Sequence, residues 1–197
     1  MSSNEEISYD TSNNANIRKD MRRRYKMQVS LKQAALEERE ILANLLEKYE
    51  YEFSQYNGSD VNKLGLYGDY DLDSFWREEG KYAYFIDVDG KLAGFVMVYN
   101  YPETGDPVSD HVIYEFFVMF KYRRTGVGKQ AFFQTLNKHR GQWCVGYHLK
   151  NTALALFWPA VISEYTGGQF KTINDDSSHM YPDGSIPVNI YFDNRLS

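Results

Sequence analysis

Hydrophobic and polar positions change their period several times along this chain, and each change marks an element. Met27, Val29 and Leu31 alternate with polar residues, the two-residue period of a half-buried strand, and predict a first strand over 26–31. Between Gln33 and Tyr49 the period lengthens. Leu42, Leu45, Leu46 and Tyr49, with Ile41 beside them, recur at helical spacing while Glu37, Glu38, Arg39, Glu40, Glu47 and Lys48 are expected to face away, the pattern of an amphipathic helix. Gly58, Gly65 and Gly68 break the next stretch. It carries Asp69, Asp71, Asp73, Glu78 and Glu79 and predicts a short second helix from Leu72 to Glu79, stopped by Gly80. The acids either solvate that helix or attract a cationic ligand.

A hairpin follows, with Tyr82–Val88 and Lys91–Tyr99 rich in aromatic and β-branched residues around Asp89-Gly90. Two prolines and a glycine in 102–110 exclude a strand there, and the chain re-enters strand over His111–Met119. The near-continuous apolar character of this fourth strand predicts a central position covered on both faces. A helix then runs to about His139, ended by Gly141. Trp143–Tyr147 reads as a fifth strand, and Asn151 caps a helix towards Ile162 with Pro159 inside it. Gln169–Ile173 and Pro187–Phe192 complete the set as two strands. Residues 1–25 are polar, then basic (Arg18, Lys19, Arg22, Arg23, Arg24), and read as a mobile tail ahead of one α/β domain over 26–197.

Composition narrows the function classes. The 197 residues, 43% hydrophobic, suit a single globular domain, and the net charge of −5 argues against a general nucleic-acid binder. A lone cysteine, Cys144, excludes an intramolecular disulfide framework and suits a reducing cytoplasm, and no apolar run is long enough to span a bilayer. His111, His139, His148 and His179 lack metal-ligand spacing, so no metal is expected. No Gly-x-Ser-x-Gly elbow supports hydrolase chemistry.

The chemistry concentrates where the fourth strand ends. Arg123-Arg124-Thr125-Gly126-Val127-Gly128-Lys129 takes the chain from strand to helix through two glycines, and first-turn amides at a helix start are an anion site. A dinucleotide fold would need an acid about twenty residues on. The chain has none between Glu115 and Glu164. A P-loop fails as well, with Arg123 in place of its first glycine and Gln130 in place of the magnesium-binding hydroxyl. Lys121, Arg123, Arg124, Lys129, Lys138, Arg140 and Lys150 fill the acid-free stretch and favour a multiply phosphorylated ligand.

Val118 followed by Arg123-Arg124-Thr125-Gly126-Val127-Gly128 resembles the acyl-CoA signature of the GNAT superfamily of N-acetyltransferases, a Gln/Arg-x-x-Gly-x-Gly/Ala turn. The element order resembles theirs too, and the Asn151-Thr152-Ala153 helix start is similar to that of small bacterial GNAT proteins. The resemblance implies a GNAT-like single domain, a mixed, mostly antiparallel central sheet flanked by helices with splayed fourth and fifth strands. It implies acetyl-CoA as acyl donor. The amides of 123–128, with Lys129, would hold the pyrophosphate, and the strand near Phe117, Val118 and Phe120 would pair with pantetheine. Asn151 would lie near the pantetheine arm, or simply cap its helix.

The implied reaction is direct attack of an amine on the acetyl thioester, with the Val118 N–H polarising the carbonyl. Glu115 occupies a fourth-strand position where many relatives carry a glutamate that acts as base directly or through water, and an acid is expensive to bury on a central strand; binding substrate or lying near an edge is the alternative expectation. Trp158 stands where relatives carry the tyrosine that protonates the CoA thiolate. Indole N–H is no useful acid, so that role is vacant, or falls to Tyr165 or Tyr147, or the thiolate leaves unassisted. The expected acceptor is a small primary amine, with a cationic one left open, and a homodimer is left open as well. The competing expectation is a catalytically silent acyl-CoA-binding or interaction module on the same fold.

Overall fold

The computed structural model describes residues 27–68, 70–100, 109–174, 180, 181 and 183–195. The expected tail and basic cluster before Met27, and most of the 102–110 loop, lie outside the described residues. The first strand, β1 (Val29–Gln33), begins three residues later than its alternation predicts. A 3-10 turn over Leu36–Glu38 leads into α1 (Arg39–Asn57), which ends at left-handed Gly58. The four-residue α2 (Ser74–Arg77) precedes β2 (Lys81–Val88) and β3 (Lys91–Tyr99), joined by Asp89 and Gly90, both at positive φ. Then come β4 (His111–Val118), α3 (Val127–Lys138), β5 (Gln142–Tyr147), α4 (Thr152–Thr166), β6 (Lys171–Ile173) and β7 (Val188–Asp193). Helix α4 continues through Pro159.

These strands form one seven-stranded sheet in the order β1-β2-β3-β4-β5-β7-β6. Every neighbouring pair is antiparallel except β4 and β5. Strand periodicity sends successive side chains of β3 into two cores: Val96 and Val98 pack with Phe132, Trp158 and Ile162 of α3 and α4, while Phe95 and Met97 pack with Leu42, Leu45 and Leu46 of α1. β4 is central, as its apolar run predicts. β3 and β4 approach closely at Gly94, where an added Cβ would lie 2.0 Å from the Phe117 carbonyl oxygen.

Two irregularities of β4 position the site. Its pairing with β3 steps from Met97↔Glu115 to Val98↔Ile113 and leaves Tyr114 as the extra residue of a bulge. Without that bulge, Ile113 and Glu115 would share a face. With it, Ile113 joins the α3–α4 core and Glu115 turns towards α1. Pairing with β5 then stops at Ile113↔Val145, although β5 itself stays paired with β7 as far as Tyr147. Beyond Ile113, therefore, β4 and β5 part.

Candidate active site

The end of β4 is built by local hydrogen bonds. Met119 N–H donates to the Ala93 carbonyl (2.8 Å), a 3-10 turn covers Phe120–Tyr122, and the Thr125 hydroxyl donates to the Tyr122 carbonyl (2.6 Å). Since alternate residues of an antiparallel strand address the same neighbour, Val118 presents its N–H and C=O to the open side. With β5 gone, neither has a strand partner there. The carbonyl is nonetheless paired, because Arg123 Nε donates to it at 2.7 Å. The N–H is the group left directed into the gap.

Helix α3 begins at Gly126, with φ of 88°, and has no side-chain cap and no acid in its first turn. Gln130 N–H is the first to bond back, to the Gly126 carbonyl at 3.0 Å, so the amides of residues 127–129 face outward at the positive end of the helix. Arg124 precedes them at φ of 60°, a left-handed conformation that disfavours a side chain, and is exposed with no ion-pair partner among the described residues. Gly128 lets the helix seat closely. A Cβ there would meet Phe157 Cζ at 3.3 Å and Val118 Cγ2 at 3.6 Å, so this glycine ties the start of α3 to the open β4 edge.

The basic residues do not all face the turn. Arg123 folds back towards α1, pairing with Glu52 Oε2 at 2.5 Å and lying over the Phe117 and Phe120 rings. Lys129 pairs with Glu164 at 2.8 Å, the first acid after the acid-free stretch. Asn151 caps α4, accepting from Leu154 N–H at 3.1 Å, the simpler of its two expected roles. Trp158 is 2% exposed, edge-on to Phe116, Phe132 and Phe157, and its Nε1 finds no partner. Tyr165 is not brought to the site. Its hydroxyl donates to Asn137 Oδ1 (2.8 Å) at the far end of α3, about 15 Å along the helix axis from the glycine turn. Tyr147 lies buried at the end of β5.

On the α1 side, a cleft of about 640 Å³ opens against Phe117, Met119 and Phe120, walled by Glu47, Glu52 and Tyr67. Glu47 does not face away, as its helical position suggests; its carboxylate accepts from the Tyr67 and Gly68 amides at 2.9 and 3.0 Å and pins the α1–α2 loop. Glu115 precedes Phe117 of this cleft by two residues on β4. Tyr70 of that loop touches it at 3.2 Å, Tyr49 of α1 bonds to it, and Tyr70 also makes a short hydrogen bond to Glu50. Part of the Glu115 residue still meets solvent, but tyrosines and a second acid surround its carboxylate, and that setting governs its proton. Burial first, with the Glu50 charge adding to it, pushes Glu115 up to about 8 against the opposing Tyr49 hydrogen bond. Burial also raises Glu50 and holds Tyr49 and Tyr70 well above the usual tyrosine range.

The turn between β5 and α4 is clamped by a residue set that resembles a hydrolase triad and is not one. Lys150 N–H donates to His148 Nδ1 (3.1 Å), which leaves the ring proton on Nε2. That nitrogen donates to Ser185 Oγ (2.8 Å), and Ser185 donates to Asp183 (2.6 Å). The histidine gives a proton to the serine rather than taking one, so the set ties the segment before β7 to the β5–α4 turn and brings Tyr181 against His148. Among the described residues, no group of three or more His, Cys, Asp or Glu could hold a metal ion, and no helix is long and apolar enough to cross a membrane.

Tyr49, Glu50 and Tyr70 escaped sequence reasoning. Glu50 follows Leu42 and Leu46 at four-residue steps and so interrupts the apolar face of α1, the one signal that could have marked it.

Comparison with known proteins agrees with this architecture. The model of the acetyltransferase (GNAT) family matches residues 41–157. An acetyltransferase from Thermus thermophilus superimposes with a TM-score of 0.59 at 16% identity, covering 84% of this chain and 97% of the other. The ribosomal-protein-S18-alanine N-acetyltransferase from Escherichia coli gives 0.51 at 10% identity (86% and 96% covered), and FeeM, an N-acyl amino acid synthase from uncultured soil microbes, 0.53 at 11% (87% and 93%). No curated protein matches. A family match over more than half of the chain, on a fold whose fourth and fifth strands part beside an uncapped glycine turn, means that this protein belongs to the GNAT family of acetyltransferases.

Proposed function

We propose that the protein is an acetyl-CoA-dependent N-acetyltransferase that transfers the acetyl group directly to a primary amine of a small acceptor. The observation that carries this reading is the parting of β4 from β5 beyond Ile113, which leaves a strand edge ending at the acid-free start of α3. An amide-bearing pantetheine fits such an edge like an added strand, and a pyrophosphate fits the amides of residues 127–129, with exposed Arg124 beside it. Val118 N–H is aimed to polarise a thioester carbonyl placed in the gap.

Glu115 is the base in this scheme. In its ionised form it takes a proton from the acceptor ammonium, and the neutral amine attacks the thioester carbon. An acid at about 8 matches that duty near neutral pH better than an ordinary glutamate would, because it holds the proton it receives. Among the described residues, the groups that act on Glu115 or Glu50 include no Lys or Arg, which favours an acceptor that brings its own positive charge. Tyr165 has no part in this mechanism. Trp158 supports packing rather than acid catalysis, so the thiolate leaves with a proton from the attacking nitrogen.

Calorimetric titration with acetyl-CoA tests the donor site: one saturable site, competed by CoA and weakened by salt, is expected. Absence of binding would refute the assignment. Binding without turnover of any amine would favour a silent acyl-CoA-binding module.

A further inference from the structure

We propose that Tyr70 and Glu50 carry the acceptor's proton from Glu115 to solvent, a relay of one hydroxyl between two carboxylates. It rests on the reading of Glu115 as the base. Three elements separated in sequence converge to make it: Glu50 on α1, Tyr70 in the α1–α2 loop and Glu115 on β4, aimed towards α1 by the bulge at Tyr114. The Tyr70 oxygen lies in a short hydrogen bond to Glu50 and 3.2 Å from Glu115 Oε1. A phenol carries one proton and can donate to only one of them. With that proton given to Glu50, a 3.2 Å contact from an ionised Glu115 would set two electron-rich oxygens together. The contact is favourable when Glu115 carries a proton and donates it to Tyr70. The resting arrangement is then a directed chain, Glu115 O–H to Tyr70 O–H to Glu50.

The steps balance. Emptying the chain once ionises Glu115, which then takes a proton from the acceptor ammonium and leaves a neutral amine. As the Glu115 O–H bond breaks, its proton forms a bond to the Tyr70 oxygen, and the original Tyr70 proton passes to Glu50. Tyr70 never becomes a phenolate, in keeping with burial holding its own ionisation far above the tyrosine range. Glu50 is part-exposed and returns the proton to water, and the Tyr70 hydroxyl rotates back towards it. The amine attacks the thioester carbon, the C–S bond breaks, and the second nitrogen proton goes to the departing sulfur. One ammonium and one thioester give one amide, one thiol and one proton in solution. The relay is the route for that last proton. Neither Tyr70 nor Glu50 touches the acceptor; both act through Glu115.

The groups facing Glu115 are Tyr49 and Glu50 from α1, Tyr70 from the loop, Tyr114 beside it on β4, Tyr99 from β3 and Tyr181 from the segment before β7. Glu47 adds its charge at Glu50. Two substitutions separate a relay from simple packing because each removes a group that holds the proton on Glu115. Tyr70→Phe keeps the ring and removes the oxygen that accepts the Glu115 O–H and repels its ionised form, so the ascending limb of kcat/KM moves to lower pH. Glu50→Gln removes a like charge, so the limb moves to lower pH. Both variants should bind acetyl-CoA as the wild type does and lose about tenfold to a hundredfold in kcat. Both should regain rate as a small carboxylate or imidazole buffer is added, which should leave wild-type turnover unchanged.

Infrared titration of glutamate-labelled protein without donor or acceptor reads the same coupling independently of activity. The protonated Glu115 carbonyl band should titrate lower in both Tyr70→Phe and Glu50→Gln than in the wild type. Equal midpoints in all three proteins overturn the relay. So does a plateau kcat for both variants within twofold of wild type. If the wild type acetylates no amine while the midpoints move as stated, the acetyltransferase reading falls and the coupled triad stands.

Discussion

Replacing Glu115 by Gln should make the protein more stable at alkaline pH and nearly inactive. Burial lifts this carboxyl from 4.5 to about 8. At 1.36 kcal/mol per pH unit that difference sets a ceiling of ~5 kcal/mol, and partial access of water and rearrangement of the surrounding tyrosines lower it to about 2–4 kcal/mol. The sign follows from where each state holds its proton. Below pH 4.5 both native and unfolded chains keep Glu115 protonated, and no cost is felt. Between 4.5 and 8 the unfolded chain ionises while the native one does not, so stability falls as pH rises, and above 8 the loss is complete. Glutamine has no proton to lose, and its amide can donate to Tyr70 as the carboxyl does. Urea unfolding of both proteins from about pH 4.5 to 9 should give curves that nearly meet at the acid end and diverge by about 2–4 kcal/mol at the alkaline end, Glu115→Gln being the more stable. Every other titrating group is common to the two and cancels. Acetyl transfer by the variant should fall about a hundredfold or more. Parallel stability curves would refute the claim that the fold holds this carboxyl protonated, and retained turnover would refute its role as base.

Gly128→Asp places a Cβ 3.3 Å from the Phe157 ring and a carboxylate where the pyrophosphate would lie. Stability should change by less than about 1–2 kcal/mol, since the helix start favours an acid, while acetyl-CoA affinity by calorimetry falls about a hundredfold; undiminished affinity would sink the anion-turn assignment. Arg124→Gly relieves a side chain held at φ of 60°. Its melting temperature should stay level or rise slightly, with acetyl-CoA binding weakened about three- to tenfold at low salt and converging on wild type in about 1 M salt. Trp158→Tyr exchanges one buried, unpartnered donor for another in a smaller ring. Denaturant titration should show a loss of about 1–3 kcal/mol with turnover within threefold, and a collapse of turnover with acetyl-CoA still bound would show that the indole does more than pack.

Local periodicity was enough to read most of the fold. The aromatic and β-branched content of β2 and β3 around Asp89-Gly90, the apolar run of β4 and the break at Gly58 each depend on residues within a few positions, and all reappear in the structure; the stops expected at Gly80 and Gly141 do not, since those helices already end at Arg77 and Lys138. The glycine turn proposed to hold the pyrophosphate was legible for the same reason, with its glycines, its cations and the absence of acids all lying in one stretch. Direction was not legible. Nothing near Arg123 announces that Glu52 on α1 and the Val118 carbonyl will draw it away from the turn, or that Lys129 will find Glu164. Tyr165 looked available because its position along α4 does not reveal which end of α3 it meets. The acid–tyrosine triad needs residues 50, 70 and 115 at once, and the bulge at Tyr114 that aims Glu115 depends on cross-strand register, which a single strand's sequence does not encode.

The most direct measurement of the central claim is acetyl transfer itself. Purified protein, acetyl-CoA and a panel of small primary amines, cationic ones included, should release CoA thiol and acetylated amine in equal amounts, with saturation in both substrates and loss of both products in Glu115→Gln. Acetyl-CoA bound at one site, with neither thiol nor acetylated amine formed across the panel, would contradict it.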